Sequence, residues 1–173
     1  MQKGNKIVNY SVYGEINRRL EYLDDTTSVQ LPSFEMLSDT MKGAGILGEI
    51  DWPSYLGIGA ATFAVSMRID GKQAAFLSAP GSKRFEVRWV TDKFDASNAK
   101  IGVKSHKVVI VGVPKKYDPG KIETNGTQDG SNEYEVLYYK KVEDGLEIIE
   151  IDKLNYIYRV NGVDYAAEIR SLL

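Results

Sequence analysis

Glu133 to Val142 (EYEVLYYKKV) and Leu146 to Leu154 (LEIIEIDKL) are two β-rich runs separated only by a turn centred on Asp144-Gly145. An Asp-Gly pair in that setting favours a type I′ turn, because both central positions take positive φ and the turn's twist matches that of the strands. Leu146 and Ile148 alternate with Glu147, Glu150 and Asp152, with a slip near Ile149 that predicts a bulge. Strand resumes over Tyr156 to Val160 until Asn161-Gly162 turns it. A chain with this ending must build around an antiparallel sheet.

The rest of the sequence agrees. Thr62 to Arg68 (TFAVSMR) and Phe85 to Val90 (FEVRWV) are rich in aromatic and β-branched residues. Lys107 to Val113 (KVVIVGV) reads as a strand buried on both faces, ended by Pro114, which lacks a ladder donor. Helix is scarce: Gly71 to Ala79 predicts about two turns, capped by Asp70 and stopped by Pro80-Gly81. Tyr165 to Leu173 predicts a terminal helix with Asp164 as its N-cap, and the polar stretch Lys121 to Asn132 reads as turn. The reading is mainly β, with one or two short helices. With 173 residues and neither repeat, low-complexity tract nor linker, residues 1–173 read as a single domain.

Composition closes off several kinds of chemistry. Cysteine is absent, which removes disulfides, thiolate metal sites and thiol nucleophiles together. His106 is the one histidine, so a multi-histidine metal site within one chain is excluded. Lying between Lys104 and Lys107, it reads as an exposed strand residue and not as a catalytic base. Net charge is −2, with residues 1–113 at +2 and residues 114–173 at −4, so no basic stripe exists to grip phosphates. Eleven tyrosines without interleaved basic residues suit a core or a subunit interface better than a nucleic-acid stacking surface. No run approaches the roughly 18 apolar residues that span a bilayer, and the N-terminus lacks signal-peptide features, so the expectation is a protein that stays in the cytoplasm or leaves only by cell lysis.

Gly43-Ala44-Gly45-Ile46-Leu47-Gly48 matches the dinucleotide fingerprint letter for letter, and Asp70 stands where a ribose-binding acid would sit. The fingerprint needs a buried strand before it and a helix after it. Glu35 to Lys42 is too polar for that strand, and Pro53 would break that helix, so the glycines read as loop residues. Asp24-Asp25, Asp129 with Glu133, and Glu143-Asp144 all fall at expected turns, and no calcium-loop pattern is present. Neither a cofactor nor a catalytic or metal centre is expected, and the chain does not read as an enzyme.

Several segments, in order, carry a resemblance. They are Gly43-Ala44-Gly45 with Gly48-Glu49-Ile50-Asp51; Arg88 with Asp95; Gly112-Val113-Pro114-Lys115-Lys116 with Gly120-Lys121; and Ser131 to Val136. The most specific block is Glu150-Ile151-Asp152-Lys153-Leu154-Asn155-Tyr156-Ile157-Tyr158, ending in Asn161-Gly162-Val163-Asp164-Tyr165. From residue 43 onward the chain resembles the major tail tube protein of contractile-tailed phages and of R-type tailocins. The first 42 residues match least, and Phe85-Glu86-Val87 with Trp89-Val90 departs from the family's usual residues around Arg88.

The resemblance implies a β-barrel or sandwich with a flanking helix and an extended hairpin, assembled as hexameric rings stacked head-to-tail into a hollow tube. It also implies partners: further copies of the chain, a sheath protein, baseplate or tube-initiator and tail-terminator proteins, a tape-measure protein, and DNA that passes without being held. Two expectations attach to it. Gly43, Ala44, Gly45, Ile46, Leu47, Gly48, Glu49, Ile50 and Asp51 form a mobile loop that orders against a neighbouring subunit, and some acids between Glu133 and Asp152 face the channel. A tube protein of a type VI-like injection system is the nearest alternative. A small ligand- or flavin-binding β-barrel with Gly43 to Gly48 at a phosphate is the alternative of a different class.

Overall fold

The computed structural model describes residues 2–173. Among these described residues, thirteen strands and two short helices follow one another. They are β1 (Gln2–Lys3), β2 (Ile7–Ile16), β3 (Arg19–Tyr22), β4 (Thr26–Gln30), β5 (Met36–Lys42), β6 (Glu49–Ile58), β7 (Thr62–Met67), α1 (Lys72–Leu77), β8 (Lys83–Asp95), β9 (Lys100–Asp118), β10 (Gly130–Glu143), β11 (Leu146–Asp152), β12 (Ile157–Val160), β13 (Val163–Asp164) and α2 (Ala167–Leu172).

One antiparallel path runs β4-β7-β10-β9-β8-β2-β3. Its two ends are joined by the turn between β3 and β4, not by a ladder. That turn is pinned across the gap: the Leu23 N–H donates to the Val12 carbonyl (2.9 Å), and the Tyr10 hydroxyl donates to the Thr26 carbonyl (2.9 Å). The sheet thus curls into a barrel-like wrap, which removes most of its free edge. Alternate residues of its strands, among them Val12, Phe63, Val65, Phe85, Val87, Val108, Ile110 and Val136, point into one buried cluster. Phe85 meets Tyr134 at 4.6 Å and Phe63 at 5.1 Å between ring centroids, so side chains fill the interior where a barrel-bound ligand would sit.

Helix α1 plugs this interior. Leu77 and Ala74 are buried, the Tyr134 hydroxyl donates to the Leu77 carbonyl (3.1 Å), and the Asn132 amide donates to the Ala74 carbonyl (3.0 Å). A six-residue helix has little intrinsic stability. Here strand side chains donate to its Ala74 and Leu77 carbonyls, and its apolar residues complete the core.

The C-terminal half of β10 carries a second wing, β11-β12-β13. Asp144 (φ 47°) and Gly145 (φ 81°) make the expected tight turn. Val142 pairs Glu147 while Lys141 pairs Ile149, so Ile148 is the extra residue, and its carbonyl accepts from the Asn161 N–H (2.8 Å). The bulge therefore sits one residue from the slip read in the sequence. Asn161 (φ 49°) and Gly162 (φ 84°) turn the chain again.

Three expectations are corrected. Pro114 does not end its strand: β9 continues to Asp118, because Lys115 bulges there and β8, the neighbour on the other side, pairs only as far as Gly112. No ladder bond is lost where no partner stands. Asp70 does not cap α1, whose N-cap is Gly71; its carboxylate accepts from the Tyr117 hydroxyl. Asp164 is not the N-cap of α2, which is Ala166; its Oδ1 accepts from the Ala166 N–H (3.0 Å) just before the helix begins.

Candidate assembly interface

The residues around the glycine fingerprint form an arm. β5 and β6 pair only with each other, and among the described residues no other strand joins them. Gly43 to Gly48 close the hairpin, and Glu49, Ile50 and Asp51 begin the returning strand. The expected loop is thus the tip of a hairpin with regular strands on both sides. The register Met41↔Ile50 and Asp39↔Trp52 puts Met41, Ile50 and Trp52 on one face, with Thr40, Lys42, Glu49 and Asp51 on the other. All three apolar side chains are exposed, and Leu47 at the tip is fully so.

The arm's root is held firmly. The Gly59 N–H donates to the Glu35 carbonyl (2.8 Å), and the Lys153 ammonium donates to the Gly59 carbonyl (3.0 Å). Glu135 accepts from the Ala61 N–H (3.1 Å) and pairs with Lys115 (3.3 Å), which keeps its carboxyl below the usual range against the opposing effect of burial. Between root and tip the pairing breaks: Met36 faces Ile58 and Ser38 faces Pro53, so Ser54 to Gly57 bulge out of the ladder. Leu56 takes φ 56° there, a conformation that non-glycine residues adopt at a cost. An isolated two-stranded hairpin is marginal in water. One with an open apolar face is a surface waiting to be covered.

At another place on the sheet β8 and β9 outrun β10, whose last partner on β9 is His106. The overhang, Thr91–Asp95 with Lys100–Ser105, is flanked by β1 and, at Thr91, by the start of β2. Phe94 lies opposite Ile101, with Val103 two residues along the same face and Lys3 beside Phe94. Phe94, Ile101 and Val103 are exposed. Sequence reasoning missed this patch, because its alternation with Gly102 and Lys104 looks like any half-buried strand.

At the base of this overhang stands His106, and its environment reverses the sequence reading. It is 7% exposed, its ring stacks on Trp89, and its Nε2 lies 2.9 Å from the Thr91 hydroxyl. The strand places it on the core-facing side with Val108 and Ile110, where Trp89 covers it. Burial pushes its pKa below the ordinary histidine value, partly opposed by Glu143, whose Oε1 is 3.6 Å from Nδ1.

The acids between Glu133 and Asp152 are mostly engaged within the fold. Glu150 accepts from the Tyr138 hydroxyl (2.7 Å) and from Arg159 (2.6 Å). Glu143 pairs with Lys104 (2.5 Å). Asp144 accepts from the Ser105 N–H (3.0 Å), and Asp152 from the Leu154 N–H (3.1 Å). Glu133 lies within strand β10, not in a turn. No group of three or more metal-binding side chains occurs among the described residues.

A curled, filled sheet that leaves an apolar arm and an apolar overhang open to solvent defines a structural subunit made to be covered by neighbours. Comparison with known proteins supplies the family. The chain matches the family described as phage tail tube protein FII over residues 4–173, and it belongs to that family. It is a tail tube protein, a structural component of a phage-type tail. The tail tube protein of Escherichia phage P2 is 26% identical over 142 residues, covering 79% of this chain and 80% of that protein. Among solved structures, a chain of the anti-feeding prophage baseplate superposes with a TM-score of 0.44 and 9% identity, over 79% of this chain and 94% of that one.

Proposed function

We propose that residues 1–173 act as one domain that forms hexameric rings, stacked head-to-tail into the hollow inner tube of a contractile phage tail or tailocin. Gly43 to Asp51, at the end of the β5–β6 arm, are the contact between neighbouring subunits. The observation that carries this reading is the arm itself: a paired hairpin rooted by Lys153 and Glu135 whose Met41, Ile50 and Trp52 face has no cover within its own chain. A contact made by one surface on a different surface of the next copy closes into a ring where the rotation allows it and otherwise grows a filament, as in head-to-tail stacking.

The tube is assembled in the host cytoplasm, on a baseplate or initiator protein and to a length set by a tape-measure protein. It is capped by a terminator and surrounded by a sheath protein. The role is mechanical and not enzymatic: DNA, where the particle carries it, passes through without being gripped. The near-neutral net charge of −2 and the internal pairing of Glu143 and Glu150 are consistent with a weakly interacting channel wall.

Negative-stain electron microscopy of the concentrated protein is the direct test, with co-expression of sheath and baseplate proteins as its second stage. Six-fold rings or hollow rods of uniform width are expected. Monomers in both stages would rule the tube reading out.

A further inference from the structure

Two Asn-Gly pairs occur in the sequence, Asn125-Gly126 and Asn161-Gly162. In such a pair the side-chain amide is open to attack by the backbone nitrogen that follows, because glycine sets no Cβ beside that nitrogen. Both asparagines stand in the left-handed region, at φ 63° and φ 49°. Closing the five-membered ring swings the Asn–Gly peptide out of its turn, so what holds each turn decides how fast its asparagine reacts.

The two are held differently. Asn161 begins the two-residue turn between β12 and β13, with Val160 paired to Val163 across it. Its N–H donates to the Ile148 carbonyl in the β11 bulge (2.8 Å), and the Tyr165 N–H donates to the Tyr158 carbonyl (2.8 Å). Opening that turn breaks sheet. Asn125 belongs to no ladder: its turn is closed by one backbone bond, from the Gly126 N–H to the Glu123 carbonyl (3.1 Å), and residues 119–127 are all exposed. Below this tip the loop is tied firmly. The Lys121 N–H donates to the Gln128 carbonyl (2.8 Å), and that carbonyl fills the place a Cβ on Gly120 would need.

We propose that Asn125 is a modification site, which deamidates spontaneously in the folded chain while Asn161 is spared. The Gly126 nitrogen, giving up its proton to hydroxide, attacks Asn125 Cγ; the bond from Cγ to the amide nitrogen breaks, and ammonia leaves. Water then opens the succinimide at either carbonyl, giving aspartate or isoaspartate at position 125. The net reaction is hydrolysis of one amide, with nothing oxidised or reduced. Between Asp118 and Asp129 the loop carries Asp118, Glu123 and Asp129 against Lys121, a net of −2, and the new carboxylate makes it −3. Isoaspartate also lengthens the main chain by one carbon. The tie between Lys121 and Gln128 confines that change to the tip, so the β9–β10 ladder, which starts where Asp118 faces Ser131, keeps its register. The site is an age mark that leaves the fold intact, and it stands whether or not the chain forms a tube.

The test is ageing of the purified protein at mildly alkaline pH, read by peptide mapping, with isoaspartate confirmed by enzymatic carboxyl methylation. Product at 125 should exceed product at 161 about tenfold or more, since the second turn has further backbone hydrogen bonds to break. In denaturant the two sites should react alike. Gly126→Ala should lose most of the product at 125. A Cβ there would stand 3.5 Å from its nearest neighbours, so the fold accepts the change. The melting temperature of aged protein should match that of fresh protein. As much product at 161 as at 125 in the folded chain, or a gap that persists in denaturant, would overturn the assignment. Undiminished product at 125 in Gly126→Ala would overturn the succinimide route, and a lowered melting temperature would overturn its confinement to the tip.

Discussion

The imidazole of His106 lies flat on the indole of Trp89, with ring centroids 5.1 Å apart and planes within 8°. Beneath this stack β8 and β9 leave β10 and continue as the overhang. The only histidine of the chain therefore sits where an exposed surface is tied to the core.

Acid should weaken that tie. Burial depresses the His106 pKa below its ordinary 6.5, so the folded protein keeps the ring neutral where the unfolded chain takes up a proton. Stability is then lost as pH falls through the unfolded value toward the folded one, from about pH 6.5 downward. The other charged groups around the ring are Lys104, Lys141, Glu143 and Asp144. Glu143 and Asp144 have lowered pKa values and begin to protonate only in more acid solution. Melting temperature between pH 7.5 and 5.5 should fall for the parent and stay flatter for His106→Gln, even if that variant starts lower. Parallel curves would place the acid sensitivity elsewhere.

Tyr134→Phe should cost about 1–2 kcal/mol, because the Leu77 carbonyl loses its hydroxyl donor inside the core. Burial holds the Tyr134 pKa up at about 12, so the hydroxyl remains a donor through the usual working range. Chemical denaturation should show the loss with an unchanged m-value, and tube formation should survive, since the residue is far from both open faces.

Glu150→Ala should destabilise by about 2 kcal/mol. It strips a charged partner from the Tyr138 hydroxyl and from Arg159 together. Arg159 retains Glu147 at 3.6 Å, which limits the loss. The same Glu150→Ala change in a background of Tyr138→Phe and Arg159→Met should cost much less, and the double-cycle difference measures the cluster. One acid of the Glu133 to Asp152 stretch, some of whose acids the sequence led us to expect at the channel, is thereby assigned a role in holding β10, β11 and β12 together.

Gly45→Val should leave the monomer's melting temperature almost unchanged and abolish or greatly slow tube growth. Gly45 has φ 84° with open space around it, so the change strains only the arm's tip. Pelleting of assembled tubes against a melting curve separates the two effects; normal tubes from this variant would sink the role of the tip.

The C-terminal half of this fold could be read almost residue by residue, and the reason is local. Asp144-Gly145 and Asn161-Gly162 set register through backbone conformations that few residues accept, and the misplaced alternation at Ile148 and Ile149 exposes the bulge directly. His106 was legible as a strand residue but not as a buried one, because Trp89, which covers it, comes from 17 positions away on another strand. Pro114 misled for a related reason: whether a missing donor matters depends on whether a neighbour faces it, and β8 had already ended. The arm was the hardest. Its polar face reads as loop, and its apolar residues have no core to face, so periodicity alone could not say that Glu35 to Ile58 form a hairpin.

β9 runs for 19 residues, from the overhang, past His106 and the core, to Asp118. At about 3.3 Å per residue it spans roughly 60 Å. In a stacked column of subunits, a push on one end reaches the other along this strand and its ladders with β8 and β10. Force in that direction loads many backbone hydrogen bonds at once in shear, not one after another as in peeling. A subunit wired this way behaves as a stiff strut: it resists compression through its covalent backbone and yields first where the pairing is broken, at the Ser54 to Gly57 bulge.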